Sequence, residues 1–353
     1  MKKNSETANI LKAASVYTGL IIGAGFASGQ EINQYFVRFG SIGFIGMLIS
    51  GLLFAACGWA VMDICVKNRF KTYIEFTNYV FGKKLAPVID VLSVLFTFTL
   101  FCAMLSGAGA VAQEAEFLSF SSVTVITAAL CFITFLFDLK GIVNMNLILT
   151  PIIVLGGIFF GIYSLLTEYR PAFFQLTAEL LSMRDSFLVF ALTYTSYNII
   201  TAISVLAGMP AVVTSRRIAK YSGLIGGACL TVLGLCFMLP LYANSSVVDG
   251  LSAPMLVVSE KYGMAMEAIY IMVLFSAILT TAVANGFAIL ERLAVFRRLP
   301  KTAIKLLVCV LGILFAHIGF SAFVSHIYPI FGYLGLFMMI TVIITAVFRK
   351  KTQ

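Results

Sequence analysis

Charged residues are scarce in this sequence. Asp, Glu, Lys and Arg make up 11% of its 353 residues, and it holds two histidines and one tryptophan. Apolar residues account for 61%, far above the range of soluble globular domains. The apolar runs are long enough for helices and do not show the short alternating strands of an outer-membrane barrel. The sequence therefore predicts an all-α polytopic membrane protein.

The motifs of membrane enzymes are missing as well. Neither HExxH nor GxSxG occurs, and Asp63, Asp90 and Asp138 lie near predicted helix ends. The seven cysteines lie in or beside apolar runs without a CxxC motif, so they indicate neither metal nor redox chemistry. We therefore expect no enzyme activity and no cofactor apart from a coupling ion.

Apolar runs between charged or Pro/Gly-rich interruptions predict ten membrane spans. Their predicted bounds are residues 9–37, 41–66, 86–112, 121–137, 141–166, 184–209, 219–242, 264–290, 301–319 and 322–348. Short interfacial helices are expected at 73–81 and 252–262. The predicted organisation is a cytoplasmic tail at 1–8, a five-helix repeat at 9–166, an extracellular connector at 167–183, a second five-helix repeat at 184–348 and a cytoplasmic tail at 349–353.

Lysine and arginine are distributed unevenly between the loops. Of the 24, all but Arg38, Arg170, Arg184 and Lys261 fall on one side of the ten-span arrangement. Basic residues orient helices toward the cytoplasm, so this predicts a plasma-membrane protein with both termini cytoplasmic. The net charge of +9 then reflects topology and not nucleic-acid binding. The expected partners are a small-molecule substrate and membrane lipids, with no obligate protein partner.

Glycines interrupt the first span. Gly23, Gly25 and Gly29 allow the chain to unwind, although glycines also serve close helix packing. Irregular backbone at membrane depth persists only where protein, water or a ligand satisfies it. Ser28 and Glu31 have capping-box spacing, so a half-helix is predicted to start at Ser28 with its positive end facing a carboxylate. The predicted substrate-binding residues of this span are Gly23, Ala24, Gly25, Phe26, Ala27 and Ser28.

Glu31 has two interpretations. Its spacing favours a role as the capping partner of Ser28. An acid close to membrane depth also raises the hypothesis of a proton carrier. A pH titration of transport in a Glu31→Gln variant separates the two.

The sixth span is expected to carry a break of its own. Five spans precede the connector and five follow it, so a second block with the same fold would be inverted, and paired interruptions mark transport sites. Residues 193–198 place six hydrogen-bonding side chains in a row. This predicts broken helices 1 and 6 in a five-plus-five inverted repeat. Tyr194, Thr195, Ser196 and Tyr197 are the predicted substrate contacts from the sixth span.

This layout resembles the leucine-transporter fold of the amino acid–polyamine–organocation superfamily. The run from Ile22 to Ile32 is similar to the opening segment of the YkvI-like membrane proteins, placed near that superfamily. The glycine-spaced first span and Leu279-Thr280-Thr281 resemble the sodium-binding segments of symporters with this fold. The resemblance implies sodium ligation by the carbonyls of Gly19, Ile22 and Ala277 and by the hydroxyls of Thr280 and Thr281.

Departures from the family pattern refine this expectation. Proton-driven relatives can place a lysine in span five, and residues 141–166 contain none, which favours sodium. Span three lacks the tyrosine that holds the substrate carboxylate in the neurotransmitter symporters, so Ser106 and first-span amides are expected to replace it. The predicted function is sodium-coupled symport of an amino acid or similar small carboxylate or zwitterion by alternating access. Proton-coupled or uncoupled transport of another small solute, and a non-transporting membrane sensor, remain alternatives.

Overall fold

The computed structural model describes residues 2–116, 118–168, 184–293 and 300–349, and within these ranges the chain contains helices and no strand. The helices of the first half are α1 (Lys2–Ile21), α2 (Ala24–Ala27), α3 (Gln30–Tyr35), α4 (Ile42–Asn68), α5 (Tyr73–Glu114), α6 (Phe120–Leu136) and α7 (Asp138–Glu168). Those of the second half are α8 (Arg184–Leu206), α9 (Arg216–Ala243), α10 (Ser245–Val248), α11 (Pro254–Lys261), α12 (Met264–Leu293), α13 (Lys301–Ala316), α14 (Phe320–Ala322) and α15 (Tyr328–Phe348). Short 3₁₀ and π turns lie at Val37–Phe39 and Phe323–Ile327.

The helices coincide with the predicted spans. Among the described residues, six helical segments are long and apolar enough to cross a membrane, and Phe120–Leu136 and Pro151–Thr167 are shorter apolar helices. The predicted all-α polytopic membrane fold is confirmed. The two repeats and the tails stay predictions, and most of the connector predicted at 167–183 lies outside the described residues.

Helices are present at both segments where interfacial helices are expected. Gly82 has a φ of 78°, which separates the segment starting at Tyr73 from the long apolar part of α5. Thr72 begins this segment by accepting a hydrogen bond from the Glu75 amide at 3.3 Å. The second interfacial helix is α11, with Pro254 at its first turn.

Helices α4 and α9 pack closely because glycines line their interface. A Cβ atom at Gly223 would lie 2.4 Å from the Trp59 amide nitrogen, and one at Gly227 would lie 2.6 Å from the Ala55 amide nitrogen. Only glycine allows helix backbones to approach so closely. This pair supports α1 through Tyr17, whose hydroxyl donates to the Phe54 carbonyl at 2.7 Å.

Candidate functional site

The first span is broken, as predicted, and the structure places interruptions at two points. Helix α1 ends at Ile21, and Gly23 is extended, with φ −102° and ψ −170°. The four residues of α2 follow, and Gly29 then turns the chain with a φ of 81° before α3 begins. The first three amides of any helix have no acceptor within it, so those of residues 24–26 are free to bind other groups.

The second break is held by neighbouring helices. The Ala27 carbonyl accepts from the Tyr270 hydroxyl of α12, and the Ser28 carbonyl accepts from the Met255 amide at 2.9 Å. Phe26 packs edge-on against Phe237 with ring centroids 5.4 Å apart. Three of the predicted substrate residues thus already contact other parts of the protein: Ala27 and Ser28 through their carbonyls and Phe26 through its ring.

The predicted capping box is wrong. Helix α3 starts at Gln30 with Gly29 as its N-cap, one residue later than expected, and no side chain caps it. Ser28 Oγ instead accepts from the Gln30 amide at 3.2 Å and donates to the Gly25 carbonyl at 3.3 Å. The left-handed turn at Gly29 shifts the helix start, because only glycine adopts this φ without strain. Glu31 is therefore free of the capping role.

The Glu31 side chain folds back over the glycines of the break. A Cβ atom at Gly25 would lie 2.1 Å from Glu31 Oε1, so the absence of a side chain at residue 25 creates the space for the carboxylate. Glu31 is 5% exposed. No Lys or Arg of the described residues forms an ion pair with it, since the pairs there join Asp63 to Arg216, Glu6 to Arg217 and Asp90 to Arg292.

The predicted break in the sixth span is also wrong. Helix α8 is continuous from Arg184 to Leu206. Its polar side chains bond back to carbonyls of their own helix, which membrane hydroxyls and amides often do. Those back-bonds run from Thr193 to Val189, Thr195 to Ala191, Ser196 to Leu192, and Asn198 to Tyr194, at 2.5–3.0 Å. Thr195 and Ser196 thereby use their hydroxyl protons within the helix.

Two tyrosines of α8 face the first span. Tyr194 and Tyr197 are three residues apart and lie on one helix face. Their ring centroids each lie 5.7 Å from that of Tyr35 on α3. Tyr328, at the start of α15, completes the group with its centroid 5.1 Å from that of Tyr197. We call Tyr35, Tyr194, Tyr197 and Tyr328 the tyrosine cluster.

The tyrosine cluster lies beside Glu31. Tyr35 stands one helical turn after Glu31 on the same face of α3, and its ring contacts those of Tyr194 and Tyr197. The hydroxyls of Tyr194, Tyr197 and Tyr328 are buried and have no hydrogen-bond partner among the described residues. Such groups are costly unless something else satisfies them.

The residues implied as sodium ligands lie on both sides of the first break. Thr281 Oγ1 lies 3.4 Å from the Ile22 carbonyl oxygen, and a Cβ atom at Gly23 would lie 3.2 Å from Thr281 Cγ2. The Thr280 hydroxyl donates to its own helix, 3.0 Å from the Ala277 carbonyl oxygen. Gly19 lies within α1, two residues before the helix ends. The structure thus brings Ile22 and Thr281 together.

Ser106, the predicted carboxylate contact from span three, is fully buried in α5, and its hydroxyl has no partner among the described residues. Gln30 Oε1 is also buried without a hydrogen-bond partner among the described residues, while Gln30 Nε2 donates to Ser321 Oγ at 2.7 Å. Helix α2 contacts both α5, which carries Ser106, and α12, which carries Thr281.

A cavity of about 740 Å³ opens beside α3, at the end of the molecule opposite the described termini. Gln30, Gln34 and Tyr35 line it from α3, Phe190 and Thr193 from α8, and further residues from the segment 249–251 and α14–α15. Tyr35 is both a wall of this vestibule and a member of the tyrosine cluster. The vestibule therefore borders the tyrosine cluster at Tyr35.

Charged and polar side chains join the helices at the other end of the molecule. Arg216 makes two bonds to Asp63, at 2.6 and 3.0 Å, and Arg217 lies 3.7 Å from Glu6 of α1. Ser222 on α9 donates to the Ile10 carbonyl at 3.1 Å. These contacts join α1 to α4 and α9 below the break.

Sequence reasoning missed Tyr35 and Tyr328. Tyr35 had a usable signal, because it lies four residues after Glu31. Tyr328 belongs to the last span and carries no local pattern linking it to the first. It is positioned by the π turn Phe323–Ile327, where the Val324 carbonyl accepts from Gln34 at 3.4 Å and Tyr35 at 3.5 Å.

Two proteins of Bacillus subtilis (strain 168) are similar to the chain along nearly its whole length, whereas no family model matches it. The uncharacterized membrane protein YkvI is 29% identical, covering 92% of this chain and 92% of that protein. The uncharacterized protein YyaD is 28% identical, covering 94% and 95%.

Solved transporter structures share the fold. The manganese transporter of Eremococcus coleocola matches with a TM-score of 0.68 at 12% identity, covering 94% of this chain and 78% of that one. MhsT in complex with L-phenylalanine matches with a TM-score of 0.67 at 14% identity, covering 94% and 87%. Mhp1 in its inward-facing conformation matches at 0.59 and 13%, covering 96% and 76%. The resemblance expected from the first span is therefore confirmed: this multi-pass membrane protein is similar to YkvI over nearly its full length and has the leucine-transporter fold.

Proposed function

We propose that the protein is a secondary active transporter working by alternating access. One observation carries the proposal: the first span unwinds near buried polar groups that have no hydrogen-bond partner among the described residues, and a cavity opens beside α3. Broken helices of this kind line the solute and ion sites of secondary transporters. The vestibule is open at one end, and the Asp63–Arg216 pair joins the helices at the other.

The proposed coupling ion is sodium, bound between the first break and α12. A small hard cation binds several oxygens, and hydroxyls with unwound carbonyls supply them without formal charge. The Ile22 carbonyl and Thr281 hydroxyl already approach to 3.4 Å. Ala277, Thr280 and Gly19 are the further proposed ligands.

The proposed solute is an amino acid or a similar small zwitterion or carboxylate. It would lie between the first break and the tyrosine face of α8, with Tyr194 and Tyr197 as side-chain contacts. Their buried, unpartnered hydroxyls support this position. Thr195 and Ser196, in contrast, would contribute only through hydroxyl lone pairs, because their protons are used within α8.

Thermal stabilisation of the purified protein tests the proposal. The ligands are amino acids, carboxylates and nucleobases, each measured in sodium and in potassium. A ligand at about 100 times its Kd stabilises the folded state by about 2.7 kcal/mol. We expect an amino-acid hit in sodium that is lost in Thr281→Ala. Thr341→Ala is the matched control, since the Thr341 hydroxyl only bonds back to Phe337 on α15 at 2.7 Å.

Solute counterflow in proteoliposomes then separates transport from sensing. Binding without counterflow would identify a non-transporting sensor and contradict the proposal. Proton coupling is the second candidate, favoured by one observation: Glu31 is a buried acid without an ion-pair partner among the described residues. A sodium-independent hit whose transport loses its pH dependence in Glu31→Gln would favour that candidate.

A further inference from the structure

The region of Glu31 and the tyrosine cluster combines a buried carboxylate that has no ion pair with the described Lys and Arg residues and hydroxyls that have no described hydrogen-bond partner. A buried ionised carboxylate requires a cation or several hydrogen-bond donors. Glu31 has no ion pair with the described Lys and Arg residues. The neighbouring tyrosine cluster holds three hydroxyls without a hydrogen-bond partner among the described residues, each on a side chain no more than 1% exposed.

The aromatic rings add a second kind of attraction. Tyr35, Tyr194, Tyr197 and Tyr328 form a continuous set of ring contacts with centroids 5.1–5.7 Å apart. A cation is attracted to the face of an aromatic ring, and this attraction strengthens when water is excluded. An ammonium group also has three donors, which match the carboxylate and the hydroxyl oxygens.

Anions fit this place poorly. Glu31 folds over Gly25, so a carboxylate bound at the first break would lie beside a second negative charge. The helix after the break, α2, has four residues and so offers little dipole to offset that repulsion. The local charge favours a positive group.

We propose that Glu31 and the tyrosine cluster bind the positively charged nitrogen of the transported solute. This rests on the proposed transport function and narrows its substrate class: the solute carries an ammonium or substituted ammonium group, and a simple carboxylate is not a substrate. Tyr35 lines the vestibule and belongs to the tyrosine cluster, so a solute that enters from the vestibule would pass this side chain.

Methylammonium and matched organic triplets test the site. Methylammonium carries the charged nitrogen without a side chain, so it probes the site whatever the remainder of the solute. Each triplet holds an amino acid, its decarboxylated amine and its deaminated acid. Thermal stabilisation of the full-length protein is measured against potassium chloride of equal ionic strength. We expect stabilisation by amine-bearing compounds and none by the deaminated acids.

Variants of the carboxylate and of one hydroxyl complete the test. Glu31→Gln keeps the shape and removes the charge, and should raise the Kd for amines about tenfold or more. Glu260→Gln removes a charge at an exposed position and should leave the Kd unchanged. Tyr197→Phe should weaken binding about threefold to tenfold, whereas Tyr221→Phe, at an exposed ring, should not.

The outcomes distinguish this inference from the transport proposal. Binding of deaminated acids, or amine binding unchanged in Glu31→Gln, would overturn the ammonium site while transport stands. Glu31-dependent amine binding without counterflow would support the site and contradict transport. No stabilisation by methylammonium or any triplet would overturn the ammonium site whatever transport assays give.

Discussion

The first and sixth spans, which the predicted inverted repeat pairs with each other, accommodate their polar groups in different ways. The first unwinds at Gly23 and turns at Gly29. The sixth, α8, holds a denser row of polar side chains and stays helical. Glycine has no side chain with which to satisfy its backbone, whereas Ser, Thr and Asn can bond to the preceding turn. A row of hydroxyls in a membrane helix is therefore a weaker signal of a break than spaced glycines.

The largest stability loss is expected for Gly29→Ala. A side chain here meets a left-handed φ of 81° and would approach Met255 Cγ to 2.7 Å. Strain and overpacking together should lower the free energy of unfolding by about 2–4 kcal/mol, measured by SDS titration in mixed micelles. Gly263 has a φ of 103° and no neighbouring atom within 4 Å of an added Cβ. The free energy of unfolding of Gly263→Ala should therefore fall only by the cost of backbone strain, about 1 kcal/mol. Equal losses in the two variants would contradict the packing of the second break.

Gly25→Ala is expected to have the next largest effect. The added methyl group occupies the position of the Glu31 carboxylate, which must leave the tyrosine cluster. We expect a loss of about 1–3 kcal/mol in unfolding free energy together with loss of amine binding. The matched control on the sixth span is Gly208→Ala, where a Cβ has only ordinary contacts at 3.4 Å. A Gly25→Ala protein that still binds amines like wild type would refute the placement of Glu31.

Removing a tyrosine hydroxyl should act on binding and not on folding. In Tyr194→Phe a buried hydroxyl without a described partner is lost, so unfolding free energy should stay the same or rise by about 1 kcal/mol. Amine affinity should fall in the same protein. Parallel thermal and binding measurements check this, and a clear loss of stability would mean that the hydroxyl has a structural partner.

The smallest effect is expected for the α8 hydroxyls. Ser196→Ala and Thr193→Val remove back-bonds within a continuous helix. Their unfolding free energies should change by no more than about 0.5 kcal/mol, and ligand affinity should stay within about twofold of wild type. A large loss in Ser196→Ala would indicate that α8 opens here during the cycle.

The helices and the first break could be predicted from the sequence because hydropathy and spaced glycines are local signals. The capping box could not, since the positive φ at Gly29 moves the helix start to Gln30. The predicted break in the sixth span was wrong because hydroxyls that bond back to their own helix and hydroxyls that face a ligand belong to the same residue types. The sequence does not distinguish them. The tyrosine cluster joins α3, α8 and α15, and Tyr328 is brought to Glu31 only by tertiary packing against the π turn.

Hydrogen exchange by mass spectrometry in lipid nanodiscs tests the central contrast most directly. The peptides to compare cover residues 22–29 and 193–198. The amides of residues 24–26 have no acceptor within α2, whereas those of 193–198 lie inside α8 and bond to the preceding turn. The account predicts faster exchange in the first-span peptide, slowed by methylammonium. Equal or faster exchange at 193–198 would contradict it, because the sixth span would then be the one that opens.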